Sequence, residues 1–160
     1  GLKAHIGADS DSGAVHSVHV TAANESDVAN AHHLLHGDEK HVHADAGFTG
    51  VEKRDEVKAA QQQGRIKADV NWHVAERRHK IKVMPEGLTK ELTQALERVK
   101  AQIRARVEHP FHIVKNLFGH KKLRYRGLVK NGAQLTVMFA LANLVLLKRP
   151  LLTLQGIGAP

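Results

Sequence analysis

The chain has 160 residues, which is long enough for one compact domain with a substantial core. It contains no cysteine, which excludes disulfides and thiolate metal sites and suits a reducing cytoplasm. The net charge of +8 is unevenly placed, because residues 1–75 carry 7 Lys+Arg against 11 Asp+Glu and residues 76–160 carry 17 against 5. Such a basic C-terminal half is typical of a nucleic-acid-binding surface, and the acidic half is free to hold divalent metal.

The first predicted element is a β-hairpin. Residues 2–9 alternate loosely between apolar and polar side chains, and residues 14–21 alternate cleanly. Asp11-Ser12-Gly13 supplies the turn between them.

A helix is predicted next, capped by one of the short polar side chains at 24–27 and ending near Gly37. His32 and His36 on this helix have the spacing of a zinc-binding pair. No third ligand of convincing spacing accompanies them, and the 13 histidines are scattered over the whole chain.

The stretch 41–50 predicts a short strand with Asp45 at its C-terminal end, followed by a tight loop that Gly47 and Gly50 allow. Ligands of open α/β sheets collect beyond the carboxyl ends of strands, so Asp45 is a candidate metal ligand. The alternative role for Asp45 is to cap the helix that follows.

The middle of the chain predicts a charged helix over 51–63 and a strand over 69–75. Residues 77–87 are predicted to form a basic, proline-containing loop, which is either a solvated connector or a DNA-contacting insertion. A long helix is predicted from Leu88 onward.

That helix leads into the stretch 102–115, where one carboxylate lies among basic residues. On a helix, Arg104, Glu108 and Lys115 would share one face, because offsets of four and seven return close to the starting direction. An ordinary surface pair between Arg104 and Glu108 is one interpretation. Pro110 favours another, because proline should kink or restart the helix and leave Glu108 able to ligate a metal.

Residues 118–127 interleave basic side chains with one tyrosine, a composition that suits phosphate contacts. The candidate DNA-binding residues in this stretch are Lys121, Lys122, Arg124 and Arg126. Residues 133–147 are almost wholly apolar and predict a buried core helix, too short and too polar to span a bilayer. We therefore expect one α/β domain over 1–147 and a tail over 148–160 that is loose at its end.

Five separated stretches carry a resemblance to a known family. They are residues 1–9, 21–24, 44–48, 103–111 and 124–128, and they include Arg-x3-Glu-x6-Lys at Arg104, Glu108 and Lys115. In this order they resemble the C-terminal catalytic region of bacterial insertion-sequence transposases, specifically the IS-five group of DDE enzymes. The resemblance extends to about Leu147.

The resemblance implies an RNase H-like α/β fold, with a mixed sheet flanked by helices. It also implies two aspartates and one glutamate that hold two divalent metal ions, usually Mg²⁺, for phosphodiester cleavage and strand transfer on double-stranded DNA. Asp45 would be the second aspartate and Glu108 the glutamate. Arg104 and Lys115 would contact transposon-end phosphates or orient Glu108. Ala101 departs from the wider signature, which has tyrosine there.

A second departure is the first aspartate, which the family carries on an opening strand ahead of a hairpin resembling residues 2–21. That strand and the N-terminal DNA-binding region are missing, and Gly1 suggests that residues once preceded it. Asp9 and Asp11 fall at the hairpin turn and are not assigned to the missing role. We therefore expect an N-terminally truncated transposase that is inactive alone.

The expected setting is the nucleoid in the cytoplasm, with transposon-end DNA as partner, a second copy of the chain as candidate dimer partner, and no membrane. The alternative function is a non-catalytic DNA-binding remnant that acts at transposon ends or with an intact copy. A weaker alternative is a His-rich metal-binding protein that uses His32 and His36.

Overall fold

The computed structural model describes residues 1–155 and divides them into two compact units. The hairpin unit comprises residues 1–24 and 106–155, and the parallel-sheet unit comprises Glu25–Ala105. The sequence correctly predicts a mixed α/β chain. It also predicts a single domain around one mixed sheet, whereas the described strands form two separate two-stranded sheets.

The hairpin unit begins with the predicted β-hairpin. Strand β1 (Leu2–Ala8) pairs antiparallel with β2 (Val15–Ala22). The carboxylate of Asp9 holds the turn, because Oδ1 accepts hydrogen bonds from the backbone N–H of Asp11 at 3.1 Å and of Ser12 at 2.7 Å, and from the Ser12 hydroxyl at 2.7 Å. The hydrogen bonds from the side chain and backbone of Ser12 stabilise the ionised carboxylate and thereby lower the pKa of Asp9.

A long helix, α3 (Leu88–His112), reaches the same turn. The guanidinium of Arg106 donates to the carbonyl oxygens of Ser10 and Asp11, the latter at 2.8 Å. Gly13 has φ +73°, and a Cβ there would lie 3.4 Å from the Arg106 carbonyl oxygen. Glycine is favoured by its positive φ, whereas the space beside the helix would admit a Cβ at ordinary contact distance.

Helix α4 (Leu128–Leu154) packs on the hairpin through one stripe of side chains. The Phe139 and Phe111 rings meet edge to face with centroids 5.3 Å apart. The side-chain amide of Asn143 accepts from the Val15 N–H and donates to the Val15 carbonyl, both at 2.7 Å. The buried core of this unit contains Val15, Ile113, Val114, Leu135, Phe139 and Ala142.

The prediction that residues 133–147 form a buried core helix is wrong in extent and in burial. The helix runs to Leu154, so position 147 falls inside it, while residues 156–160 of the predicted tail lie outside the described residues. Its apolar side chains are mostly exposed, for example Val129 at 85% and Leu144 at 61%. Only four α4 side chains are buried: Asn131, Leu135, Phe139 and Ala142.

Helix α4 is also the one helix in the described chain that is long and apolar enough to cross a membrane. The expectation that this segment is too short and too polar is therefore wrong. Length and composition alone are weak evidence for a membrane span, because apolar helices of soluble proteins reach the same values.

In the parallel-sheet unit, β3 (His41–Ala44) and β4 (Asn71–Val74) pair in parallel. Both strands follow the sequence prediction, although β4 is shorter than residues 69–75. The chain segment between them contains α1 (Asp55–Gln62), which packs on one face of the sheet. The apolar side chains on that face are Val42, Trp72 and Val74, in contact with buried Val51, Val57, Ala60 and Ile66.

Three connecting segments differ from the predictions. The helix predicted to end near Gly37 is a 3-10 helix at Val28–His33, and Asp27 before it has helical dihedrals with no side-chain capping hydrogen bond. The predicted helix over 51–63 is interrupted by Arg54, whose extended backbone separates a 3-10 turn from α1. The segment 77–87 is not all loop, because it contains the short helix α2 (Arg78–Lys82).

Helix α3 confirms the predicted long helix from Leu88, but it does not restart at Pro110. The α-helix continues through Pro110 to His112, and a π-helical turn follows at Ile113–Leu117. Proline lacks the N–H that would bond four residues back, yet its ring is buried in this unit. The irregularity thus comes after Pro110 and not beside Glu108.

Asn143→Ala should destabilise the protein by about 1–3 kcal/mol, because it leaves both backbone groups of Val15 without their side-chain partner. Urea unfolding followed by circular dichroism measures this. Thr136→Ala is the control, since its exposed hydroxyl bonds only to its own helix and should cost less than about 0.5 kcal/mol. Equal effects of the two substitutions would contradict the role of Asn143.

Candidate metal and DNA site

Asp45 lies directly after β3, at the C-terminal end of the parallel sheet, as the sequence predicts. It also caps the next turn, because Oδ1 accepts the backbone N–H of Gly47 at 2.8 Å. A Cβ at position 47 would lie 3.0 Å from that oxygen, so glycine leaves the carboxylate in place. Within residues 1–155, Oδ2 of Asp45 has no hydrogen-bond partner, and the side chain is exposed. One oxygen is held and the other is available to a cation.

Two basic side chains of α3 attach this helix to the strand ends beside Asp45. Lys100 Nζ donates to the Val74 carbonyl oxygen at 3.0 Å, and Arg104 Nη1 donates to the Ala44 carbonyl oxygen at 3.3 Å. Ala44 and Val74 are paired residues at the ends of β3 and β4. Residues one helical turn apart on α3 therefore bind the last carbonyls of both strands.

Glu97 completes this attachment. Its Oε1 lies 2.8 Å from Lys100 Nζ, and its Oε2 accepts the backbone N–H of Glu76 at 3.1 Å. Both side chains of the ion pair are about 15% exposed, which limits screening by water. Lys100 and Glu97 were not among the candidate residues predicted from the sequence. The one sequence feature that could have indicated this ion pair is their spacing of three residues on a predicted helix.

Glu108 lies on α3 one turn beyond Arg104, in the hairpin unit, whereas Asp45 belongs to the parallel-sheet unit. The Glu108 side chain is exposed and forms no ion pair within the described residues. The predicted alternative of a surface pair between Arg104 and Glu108 is therefore not observed, because Arg104 binds the Ala44 carbonyl instead. The Glu108 carboxylate is left free for another partner.

Lys115 lies in the π-helical turn Ile113–Leu117, beyond the end of the α-helix. The prediction that it shares a face with Arg104 and Glu108 assumed α-helical spacing throughout, and a π-turn changes the direction of the residues after it. Lys115 is exposed, with Nζ 5.7 Å from the centroid of the Phe111 ring.

The basic loop, residues 118–127, is exposed along its charged side chains and fixed near its two ends. His120 is buried at one end. At the other, the side-chain amide of buried Asn131 donates to the carbonyls of Tyr125 at 2.8 Å and Gly127 at 2.7 Å. The exposed cations of this loop are Lys121, Lys122, Arg124 and Arg126. They form a surface suited to a polyanion.

The helical zinc pair suggested for His32 and His36 is not formed as predicted. The 3-10 helix ends at His33, so His36 lies beyond it. His32 Nδ1 is 3.0 Å from the Ala29 carbonyl oxygen, and the backbone N–H of His36 donates to Glu39. The two histidines therefore do not share the face of an α-helix.

The family model described as "Transposase DDE domain" matches residues 1–144, which include Asp45, Glu108 and the basic loop. No solved structure matches the chain.

Lys100→Met should destabilise the protein by about 1.5–3 kcal/mol, because it removes the donor to the Val74 carbonyl and leaves Glu97 unpaired. Lys58→Met is the matched control, since Lys58 faces a fully exposed Asp55 carboxylate at 4.0 Å and should cost less than about 0.5 kcal/mol. Both values come from chemical denaturation. Similar costs for the two substitutions would contradict the anchoring role of Lys100.

Proposed function

Because the chain belongs to the transposase DDE domain family, we propose that it is part of an insertion-sequence transposase in which Asp45 and Glu108 ligate catalytic divalent metal. Membership of the family implies that DNA is the substrate and transposition the process. The IS-five group is the subgroup that the residues resemble. The reaction proposed for the whole enzyme is cleavage and strand transfer of phosphodiesters at transposon ends.

The observation that carries this proposal is that the Asp45 carboxylate is held at one oxygen and has its other oxygen available to a metal ion. It follows a parallel strand, one oxygen is fixed by the Gly47 N–H, and the other has no partner within the described residues. Carboxylate oxygens without cationic partners are the ligands that Mg²⁺ prefers, and the unpaired carboxylate of Glu108 has the same character. When bound, Mg²⁺ supplies Lewis-acid assistance to phosphodiester displacement.

We assign Arg104 a positioning role and not a phosphate contact. Its guanidinium donates to the carbonyl of Ala44, the residue immediately before Asp45. An arginine held in this way fixes the backbone that carries the metal-binding carboxylate. Lys115 and the basic loop, whose cations are exposed, are better suited to bind the phosphates of transposon ends.

We further propose that these 160 residues do not cut DNA by themselves. Asp9 Oδ1 accepts three hydrogen bonds that close the hairpin turn, and Asp11 faces Arg106 at 3.6 Å, so both carboxylates serve this turn. Neither carboxylate is therefore assigned as the third metal ligand. An RNase H-like fold would also need a further strand, since each sheet has only two strands among residues 1–155.

Replacing the four cations of the basic loop by glutamine should weaken binding to double-stranded DNA and flatten its salt dependence. Each lost phosphate contact lowers the slope of log K against log salt by about 0.9. Fluorescence anisotropy over a salt series measures both quantities. The control is Lys53→Gln with Lys58→Gln, which removes two exposed lysines of the parallel-sheet unit and should leave the slope unchanged.

The same proteins are expected to leave supercoiled plasmid uncut in Mg²⁺ or Mn²⁺ while still binding it. Metal-dependent nicking by the 160-residue chain that disappears in Glu108→Ala would overturn the proposal that the chain is inactive alone. An unchanged salt slope in the loop variant would remove the basic loop from the DNA-binding surface.

A further inference from the structure

A row of histidines occupies the face of the parallel sheet opposite its apolar core. Side chains alternate between the two faces of a strand, so His41 and His43 share one face of β3. His73 on β4 pairs with His43 across the ladder and lies on the same face. The other face carries Val42 and Trp72 into the core. The sheet therefore gathers three imidazoles from two strands.

Two of these imidazoles present nitrogens to each other. His41 Nδ1 and His73 Nε2 are 3.0 Å apart at an exposed position, with the ring centroids 5.2 Å apart. The ring of His43 stacks on His73, with centroids 4.7 Å apart and planes 17° from parallel. His43 thus limits the orientations open to His73 and keeps its Nε2 directed toward His41.

A nitrogen pair at this distance suits a shared cation as well as a single N–H···N hydrogen bond. Two nitrogens on one tetrahedral zinc ion, with bonds of about 2.0–2.1 Å, lie roughly 3.3–3.4 Å apart. Neighbouring nitrogens in a square-planar copper or nickel site lie about 2.9 Å apart. The observed 3.0 Å falls between these values, so small ring rotations would admit either geometry.

We propose that His41 and His73 form a two-histidine chelate for a borderline-soft divalent cation such as Zn²⁺, Ni²⁺ or Cu²⁺. Imidazole nitrogen selects these ions over Mg²⁺, so the chelate is separate from the oxygen site proposed at Asp45 and Glu108. Water or an added ligand completes the coordination. The ion links β3 to β4 directly and thereby stabilises the folded sheet.

The charges around the chelate weaken it without abolishing it. Lys100 and Arg104 are the cations close enough to His43 or His73 to interact with them electrostatically. Glu97, 2.8 Å from Lys100, offsets one of these charges. A chelate with two protein ligands and nearby cations is expected to bind less tightly than a closed structural zinc site with four protein ligands.

The test is calorimetric titration of the full chain with Zn²⁺ and with Ni²⁺ in excess Mg²⁺, beside His41→Asn and His73→Asn. Each variant should weaken the strongest transition-metal site about tenfold or more, and the double variant should be no weaker than either single one. His109→Asn is the control for the other histidines, because His109 is exposed on α3, and it should leave the isotherm unchanged.

Nitrogen-15 spectra of the histidine rings in the unsubstituted chain provide a second readout that does not depend on variants folding. Zinc should shift Nδ1 of His41 and Nε2 of His73 together at one equivalent. The proposal would be overturned if the His41 and His73 variants bound as tightly as the unsubstituted chain, if no saturable site were found, or if zinc shifted the rings of other histidines instead. Because Mg²⁺ is present throughout, failure here leaves the proposed oxygen site untouched.

Discussion

The hydrogen bonds that Lys100 and Arg104 donate to the ends of β3 and β4 are the constraint on which the candidate site depends. A two-stranded sheet is only marginally stable by itself and needs contacts from other elements to hold the backbone at its ends. Here the carbonyls of Ala44 and Val74 each receive a cationic donor from α3, and Glu97 neutralises Lys100 while holding the chain after β4. The Ala44 carbonyl also accepts the backbone N–H of Ala75 at 2.9 Å, so the chain next to Asp45 is held both by the sheet and by α3.

The carboxylates of Asp45 and Glu108 differ in their surroundings from the acidic side chains that form ion pairs elsewhere in the described chain. Asp45 and Glu108 form no ion pair within the described residues, and both side chains are exposed. The basic loop has no acidic residue, and Asn131 and His120 fix its ends. The unpaired carboxylates and the exposed cations of the basic loop thus lie on different segments of the chain.

Local patterns were enough to predict the hairpin, the strand before Asp45 and the long helix α3, because each depends on alternation or helical periodicity within a short segment. The sequence could not predict that Arg104 would bind the Ala44 carbonyl, 60 residues away, in place of Glu108 four residues away. It also missed the π-turn after His112, because apolar periodicity does not distinguish a single π-helical turn from a continuing α-helix. The exposure of α4 depends on which parts of the fold pack against it, and this cannot be predicted from the apolar composition of the helix alone.

The most direct measurement is a double-mutant cycle on Mn²⁺ binding, followed by the paramagnetic signal of the free ion, with Asp45→Asn, Glu108→Gln and both together. If both carboxylates ligate metal as proposed, either substitution weakens Mn²⁺ binding, and the effects of the two are coupled and not additive. Independent, additive effects would place Asp45 and Glu108 in separate sites. No effect from either substitution would contradict the assignment altogether.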